Sequence, residues 1–87
     1  MSYTILYRAG VEREMSKLPR PVLKRVDTAI LRLGNNPRPH GCKKLTGHGN
    51  LHRIRVGDWR IVYEVNDARH EVEIQIVANR KDVYRGL

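Results

Sequence analysis

A single cysteine, Cys42, stands in a chain of 87 residues, so no disulfide can close within it. A reducing, cytoplasmic setting suits that composition. Phenylalanine is absent and tryptophan occurs once, which leaves no evident platform for stacking successive nucleic-acid bases. No apolar run is long enough for a membrane-spanning helix. The start, Met1-Ser2-Tyr3-Thr4-Ile5-Leu6-Tyr7-Arg8, lacks the extended apolar stretch of a signal peptide. Repeats and low-complexity tracts are also missing. Acidic side chains are few: 9 Asp+Glu against 17 Lys+Arg give a formal net charge of +8 and a pI of about 10.3. The excess is no tail, since residues 1–34 hold 7 basic and 3 acidic side chains and residues 35–87 hold 10 and 6. A domain this basic suits nucleic acid or an acidic protein partner. A merely solvated basic surface would have the same composition.

The length suits one domain, residues 1–87, with a modest core. Tyr3-Thr4-Ile5-Leu6-Tyr7 alternates and reads as a strand. Val11, Met15 and Leu18 fall at helical spacing within 9–18. After Pro19 and Pro21 a second helix carries Val22, Leu23, Val26, Ala29, Ile30 and Leu33 on one stripe, and Gly34 stands where a helix stops. Residues 35–50, with two prolines and three glycines, read as a loop. Two alternating runs then flank Gly57-Asp58, a two-residue hairpin turn. Residues 66–70 form another turn, Glu71–Val77 a further strand, and the polar tail ends in a short helical turn. The expected fold is α+β in the order β-α-α-β-β-β: a four-stranded, largely antiparallel sheet with both N-terminal helices on one face. The helices should cover Ile54, Val56, Trp59, Ile61, Tyr63, Val72, Ile74 and Ile76.

The hairpin turn sets a register in which Val56 opposes Trp59, Arg55 opposes Arg60, Ile54 opposes Ile61 and Arg53 opposes Val62. Arg53, Arg55 and Arg60 then share the uncovered face. Like charges placed directly opposite destabilise a sheet, so a polyanion is the expected reason for them. Lys43, Lys44 and Lys81 are candidate companions for binding RNA. Arg80 and Tyr84 follow the last strand, and Glu64 and Gln75 are possible neighbours. Arginine grips phosphate bidentately, a cluster of arginines can stabilise a phosphoryl transition state, and a tyrosine can protonate a leaving oxygen. A basic face that binds RNA, DNA or protein without chemistry is the bland alternative. Cys42, His48 and His52 match no strong zinc spacing and lack a fourth ligand; His52 falls on the core side opposite Tyr63. No metal or other cofactor is expected. His40 and His48 lie in the loop, where histidines are usually solvated.

Three segments resemble the RelE/ParE superfamily of bacterial toxin–antitoxin toxins: Lys43-Lys44-Leu45-Thr46-Gly47, His52 through Val65 with Arg53-Ile54-Arg55-Val56-Gly57-Asp58-Trp59-Arg60 at its centre, and Asn79-Arg80-Lys81-Asp82-Val83-Tyr84. The resemblance implies a compact α+β toxin with a RelB-like antitoxin partner, reaching operator DNA only through the antitoxin complex. For the RelE branch it implies a ribosome-dependent mRNA endonuclease that cuts A-site codons without metal, the 2′-hydroxyl attacking the neighbouring phosphate. On that resemblance Arg60 and Arg80 grip the scissile phosphate, Tyr84 orients or protonates the leaving group, and Arg53 and Arg55 complete the cradle. Many members carry lysine where this chain has Arg53 and Arg55, and arginine cannot serve as a base; Glu64, His48 or ribosomal RNA is left to do so. The ParE branch shares the fold but poisons DNA gyrase. A catalytically inactive relative that binds only antitoxin and operator is a third reading.

Overall fold

The computed structural model describes residues 2–85 and 87. Its elements are β1 (Thr4–Tyr7), α1 (Val11–Ser16), α2 (Arg20–Asn35), β2 (Lys43–Lys44), β3 (Leu51–Val56), β4 (Trp59–Asn66) and β5 (Glu71–Asn79). Gly10, at φ +90°, turns the chain into α1. Glu12 and Glu14 lie in its first turn, where carboxylates complement the helix dipole. Val11 and Met15, one turn apart, face the core. The helix stops before Pro19, whose ring disfavours helical geometry in the preceding residue. Pro19 then caps α2, with Pro21 in the first turn where no amide proton is needed. Val26, Ile30 and Leu33 give α2 its buried stripe. No helix among the described residues is long and apolar enough to cross a membrane.

Gly34 does something other than end the helix. It lies inside the last turn, and the cap is Asn36 in extended conformation. A Cβ at Gly34 would stand 3.2 Å from the Tyr3 carbonyl oxygen, and the Tyr3 N–H donates to the Gly34 carbonyl at 2.6 Å. The glycine lets the entrance to β1 lie directly on the end of α2.

The α+β expectation holds, with both helices against one face of the sheet. The sheet has five strands, in the order β1-β5-β4-β3-β2, with β1 parallel to β5 and the other pairs antiparallel. The additional strand is β2, within the segment read as a loop. Two residues long, it pairs Lys43 with Arg53 and Lys44 with His52, too short to show any alternation. Beneath the helices lie Ile54, Ile61, Tyr63, Val65, Val72 and Ile74. Tyr63 is completely buried and donates its hydroxyl to the Pro37 carbonyl at 2.7 Å. Burial raises that phenol's pKa well above its ordinary value.

Ile76 is not on the helix face. A β-bulge between Val62 and Tyr63 shifts the register, so that Tyr63 pairs with Ile74 but Val62 with Ile76 and Ile61 with Val77. A bulge places two residues of one strand opposite one of the other and reverses the faces beyond it. Val77 therefore packs on the main core, while Ile76 shares the other face with Val62. Val62 and Val83 are both buried outside the main cluster. Val62 lies on the side of the sheet away from the helices, and Val83 belongs to the C-terminal turn. That turn is helical, as expected: the amides of Asp82 and Val83 both donate to the Asn79 carbonyl.

Candidate nucleic-acid interface

The hairpin forms in the expected register. Gly57 takes φ +60°, whereas Asp58 stays out of the left-handed region, the sign pattern of a type II′ turn. In such a hairpin the closing pair, Val56 and Trp59, exchanges hydrogen bonds. Arg55 and Arg60 then form the next, non-hydrogen-bonded pair, whose side chains approach most closely. A neighbouring row adds Lys43 opposite Arg53, so two like-charge pairs lie side by side on one face. Lys44 pairs with His52 and therefore belongs to the helix side. The two lysines thus part company, and only Lys43 joins the arginines.

The three arginines differ in state. Arg55 is exposed. Arg60 leans back over the turn, donating from Nη1 to the carbonyls of Gly57 (2.8 Å) and Trp59 (2.9 Å). Arg53 is 6% exposed, and its Nε is buried without a hydrogen-bond partner. Buried donors nearly always find an acceptor, so Arg53 is an exception within this fold. Among the described residues no carboxylate lies within ion-pair distance of Arg53, Arg55, Arg60, Lys43 or Lys81.

Arg80 reaches the same hairpin end through its backbone, its amide donating to the Asp58 carbonyl at 2.8 Å. Its Nε stands 3.9 Å from the Asp58 carboxylate, both side chains being well exposed, a contact worth little in water. Two residues missed in the sequence organise this end. Asn79 pairs with Trp59 and accepts the Lys81 amide on Oδ1 at 3.1 Å, which starts the turn; asparagine before a polar run is the available signal. Asp58, read only as a turn residue, is the anchor of Arg80. Tyr84 follows on the turn pinned by Val83 and is 46% exposed. Lys81 is exposed on the same turn.

The remaining candidates lie elsewhere. Glu64 faces Glu73, and both line a depression with Leu6, Asn66, Arg69 and Glu71. Gln75 donates to Glu73. The open face is therefore polarised, cationic at the hairpin turn and anionic toward β1. His52 is a core residue as expected: its ring stacks on Tyr63 at 5.7 Å and its Nδ1 lies 2.9 Å from the Asn50 carbonyl, so Nδ1 carries the proton. Among the described residues no three His, Cys, Asp or Glu side chains come together as a metal site.

The structure is a small α+β domain with arginines gathered at one hairpin end, and comparison with known proteins gives its family. The chain matches the family of ParE toxins of type II toxin–antitoxin systems, parDE, over residues 2–84. It is 33% identical to Toxin RelE of Mycobacterium tuberculosis, across 95% of this chain and 87% of that protein. With Toxin RelE3 of Methanocaldococcus jannaschii the identity is 30%, across 92% and 93%. The archaeal RelE–RelB complex from Pyrococcus horikoshii superposes with a TM-score of 0.81 at 28% identity, covering 92% of this chain and 97% of that one. The toxin–antitoxin complex RelBE2 from Mycobacterium tuberculosis gives 0.81 at 26%, covering 94% and 95%. The chain belongs to the RelE/ParE family of toxins from type II toxin–antitoxin systems.

Proposed function

We propose that this toxin is a single-domain mRNA endonuclease acting on the ribosome. One observation carries the reading: Arg55 faces Arg60 beside a buried Arg53 whose Nε has no partner, and among the described residues none of the three meets a carboxylate. Folding gains nothing from placing Arg55 opposite Arg60, whereas an RNA phosphate would offset their repulsion. In the reaction a 2′-oxygen bonds to the adjacent phosphorus and the P–O5′ bond breaks, leaving a 2′,3′-cyclic phosphate and a 5′-hydroxyl. Arg60 and Arg80 hold the phosphate and its transition-state charge, Tyr84 serves the leaving oxygen, and Arg53 and Arg55 complete the cradle with Lys43. Lys81, exposed on the C-terminal turn, adds to RNA or ribosome binding, while Lys44, on the helix side, is left to contact the ribosome away from the cradle. The domain offers no stacking platform, so it should act poorly on free RNA and depend on the ribosome to present the strand.

The toxin's inhibitor is a RelB-like antitoxin whose acidic, helical segment covers the basic face or displaces the Tyr84 turn, with operator DNA bound only by the complex. Relatives solved together with RelB support the antitoxin partner. A second reading, a gyrase poison, has the ParE family match behind it. Inducing the chain and mapping message ends by primer extension separates the two. Codon-phased cuts within translated regions favour the nuclease. Intact messages with gyrase-dependent DNA breaks refute it.

A further inference from the structure

Cleavage by a 2′-hydroxyl needs an acceptor for its proton, and a cradle of guanidinium groups has none. The acceptor must hold a lone pair near neutral pH and reach the phosphate-binding face. Geometry removes most candidates. Glu64 lies four residues along β4 from Arg60, roughly 13 Å at the rise of a strand, inside the anionic depression. His48 belongs to the turn before β3 and does not line the cavity that Arg53 and Arg55 line. His52 is buried and bonded to Asn50. His70 packs against the Tyr3 ring at 5.2 Å. Asp58 is turned toward Arg80.

His40 remains. It lines a concavity of about 440 Å³ between α2 and the β3 edge, with Ala29 and Arg32 on the helix side and Lys43, Arg53, Ile54 and Arg55 on the sheet side. The cavity lies at the Lys43 end of β2, where that strand begins. Before it, the Cys42 amide donates to the Pro39 carbonyl at 3.0 Å and Gly41 takes φ +89°, so the chain swings away from β3 and carries His40 over the gap. No carboxylate lines the space. Arg53 forms part of the wall.

We infer that His40 is the general base of the cleavage. This rests on the nuclease reading above. Its imidazole takes the 2′-hydroxyl proton as the 2′-oxygen bonds to phosphorus, and the electron pair of the breaking P–O5′ bond leaves on the 5′-oxygen, protonated from the Tyr84 side. The strand's direction follows: the ribose that attacks lies over the β2–β3 edge, and the nucleotide that leaves lies over the C-terminal turn.

The test measures single-turnover cleavage of ribosome-bound message across pH. His40→Gln should lose about 10²-fold or more in rate and lose the acid limb of the pH–rate profile, where protonation of the base shuts the reaction down, while ribosome binding persists. In His40→Ala, added imidazole should restore part of the rate, which a purely structural role would not allow. Wild-type cleavage with an unchanged His40→Gln rate and limb overturns the inference and leaves the nuclease reading standing. So does loss of the limb in Asp58→Asn but not in His40→Gln. A wild-type chain that leaves ribosome-bound messages uncut overturns the nuclease reading and the inference with it.

Discussion

Arg55→Thr separates what the basic face does for RNA from what it costs the fold. Arg55 is exposed and faces Arg60 in the closer type of antiparallel pair. Two unit charges about 6 Å apart repel by about 0.7 kcal/mol in surroundings close to water. Like pairs in sheets fall in the same range, about 0.2–1 kcal/mol. Threonine also suits a strand better than most polar residues. The variant should therefore be more stable by about 0.5–1 kcal/mol, or about 2–8 °C in Tm for a domain of this size. Arg60 is the poorer choice, because its two bonds to the turn carbonyls would be lost with it. Thermal melts at low and high salt supply the control. Screening reaches about 10 Å at 0.1 M, so the wild type should gain more from added salt than the variant. Message cleavage on ribosomes should fall in parallel. A destabilised Arg55→Thr, or one with the wild-type salt response, would refute the reasoning. It would mean that Arg60, drawn back over Gly57, has already escaped its neighbour.

Arg60→Ala and Arg80→Ala should each relieve toxicity and slow cleavage by about 10²-fold or more, the usual effect of removing a group that holds transition-state charge; growth after induction and single-turnover rates check this. Tyr84→Phe should slow cleavage and leave ribosome co-sedimentation unchanged. Asp67 concerns stability alone: two bonds from Arg38, then one from Tyr3, lower its carboxyl to about 2 from an ordinary 3.8. Its folded value is depressed, so its stabilisation is present above about pH 4 and is lost as pH falls toward 2. Urea midpoints of the wild type should exceed those of Asp67→Asn at pH 6 and converge with them near pH 2.

The elements with strong periodicity were legible from sequence. Val26, Ile30 and Leu33 mark α2, and Gly57-Asp58 between alternating runs sets the hairpin to the residue. What escaped depends on pairing rather than on pattern. Ile76 continues the alternation of Val72 and Ile74, and nothing in its own strand announces that a bulge reverses its face. β2 is a strand only because Lys43 and Lys44 lie alongside β3. Gly34 looked like a stop signal because a glycine at the end of an apolar stripe usually is one; its actual role depends on Tyr3, far away in sequence.

For the candidate site, residue types were legible and their states were not. Arg53, Arg55 and Arg60 read as three equivalent cations. Folding makes one a buried donor without an acceptor, one an exposed charge and one a clamp on its own turn. The difference follows from what surrounds each: Arg53 sits between β2 and the Val62 row, whereas Arg55 and Arg60 stand at the sheet's end. A phosphate arriving there would recruit Arg60 by exchanging carbonyl acceptors for anionic oxygens, and charge-assisted bonds are the stronger kind. It would also relieve the repulsion between Arg55 and Arg60. Each of the three contributes for a different reason, so their removal should not be additive, and a count of basic residues cannot substitute for their geometry.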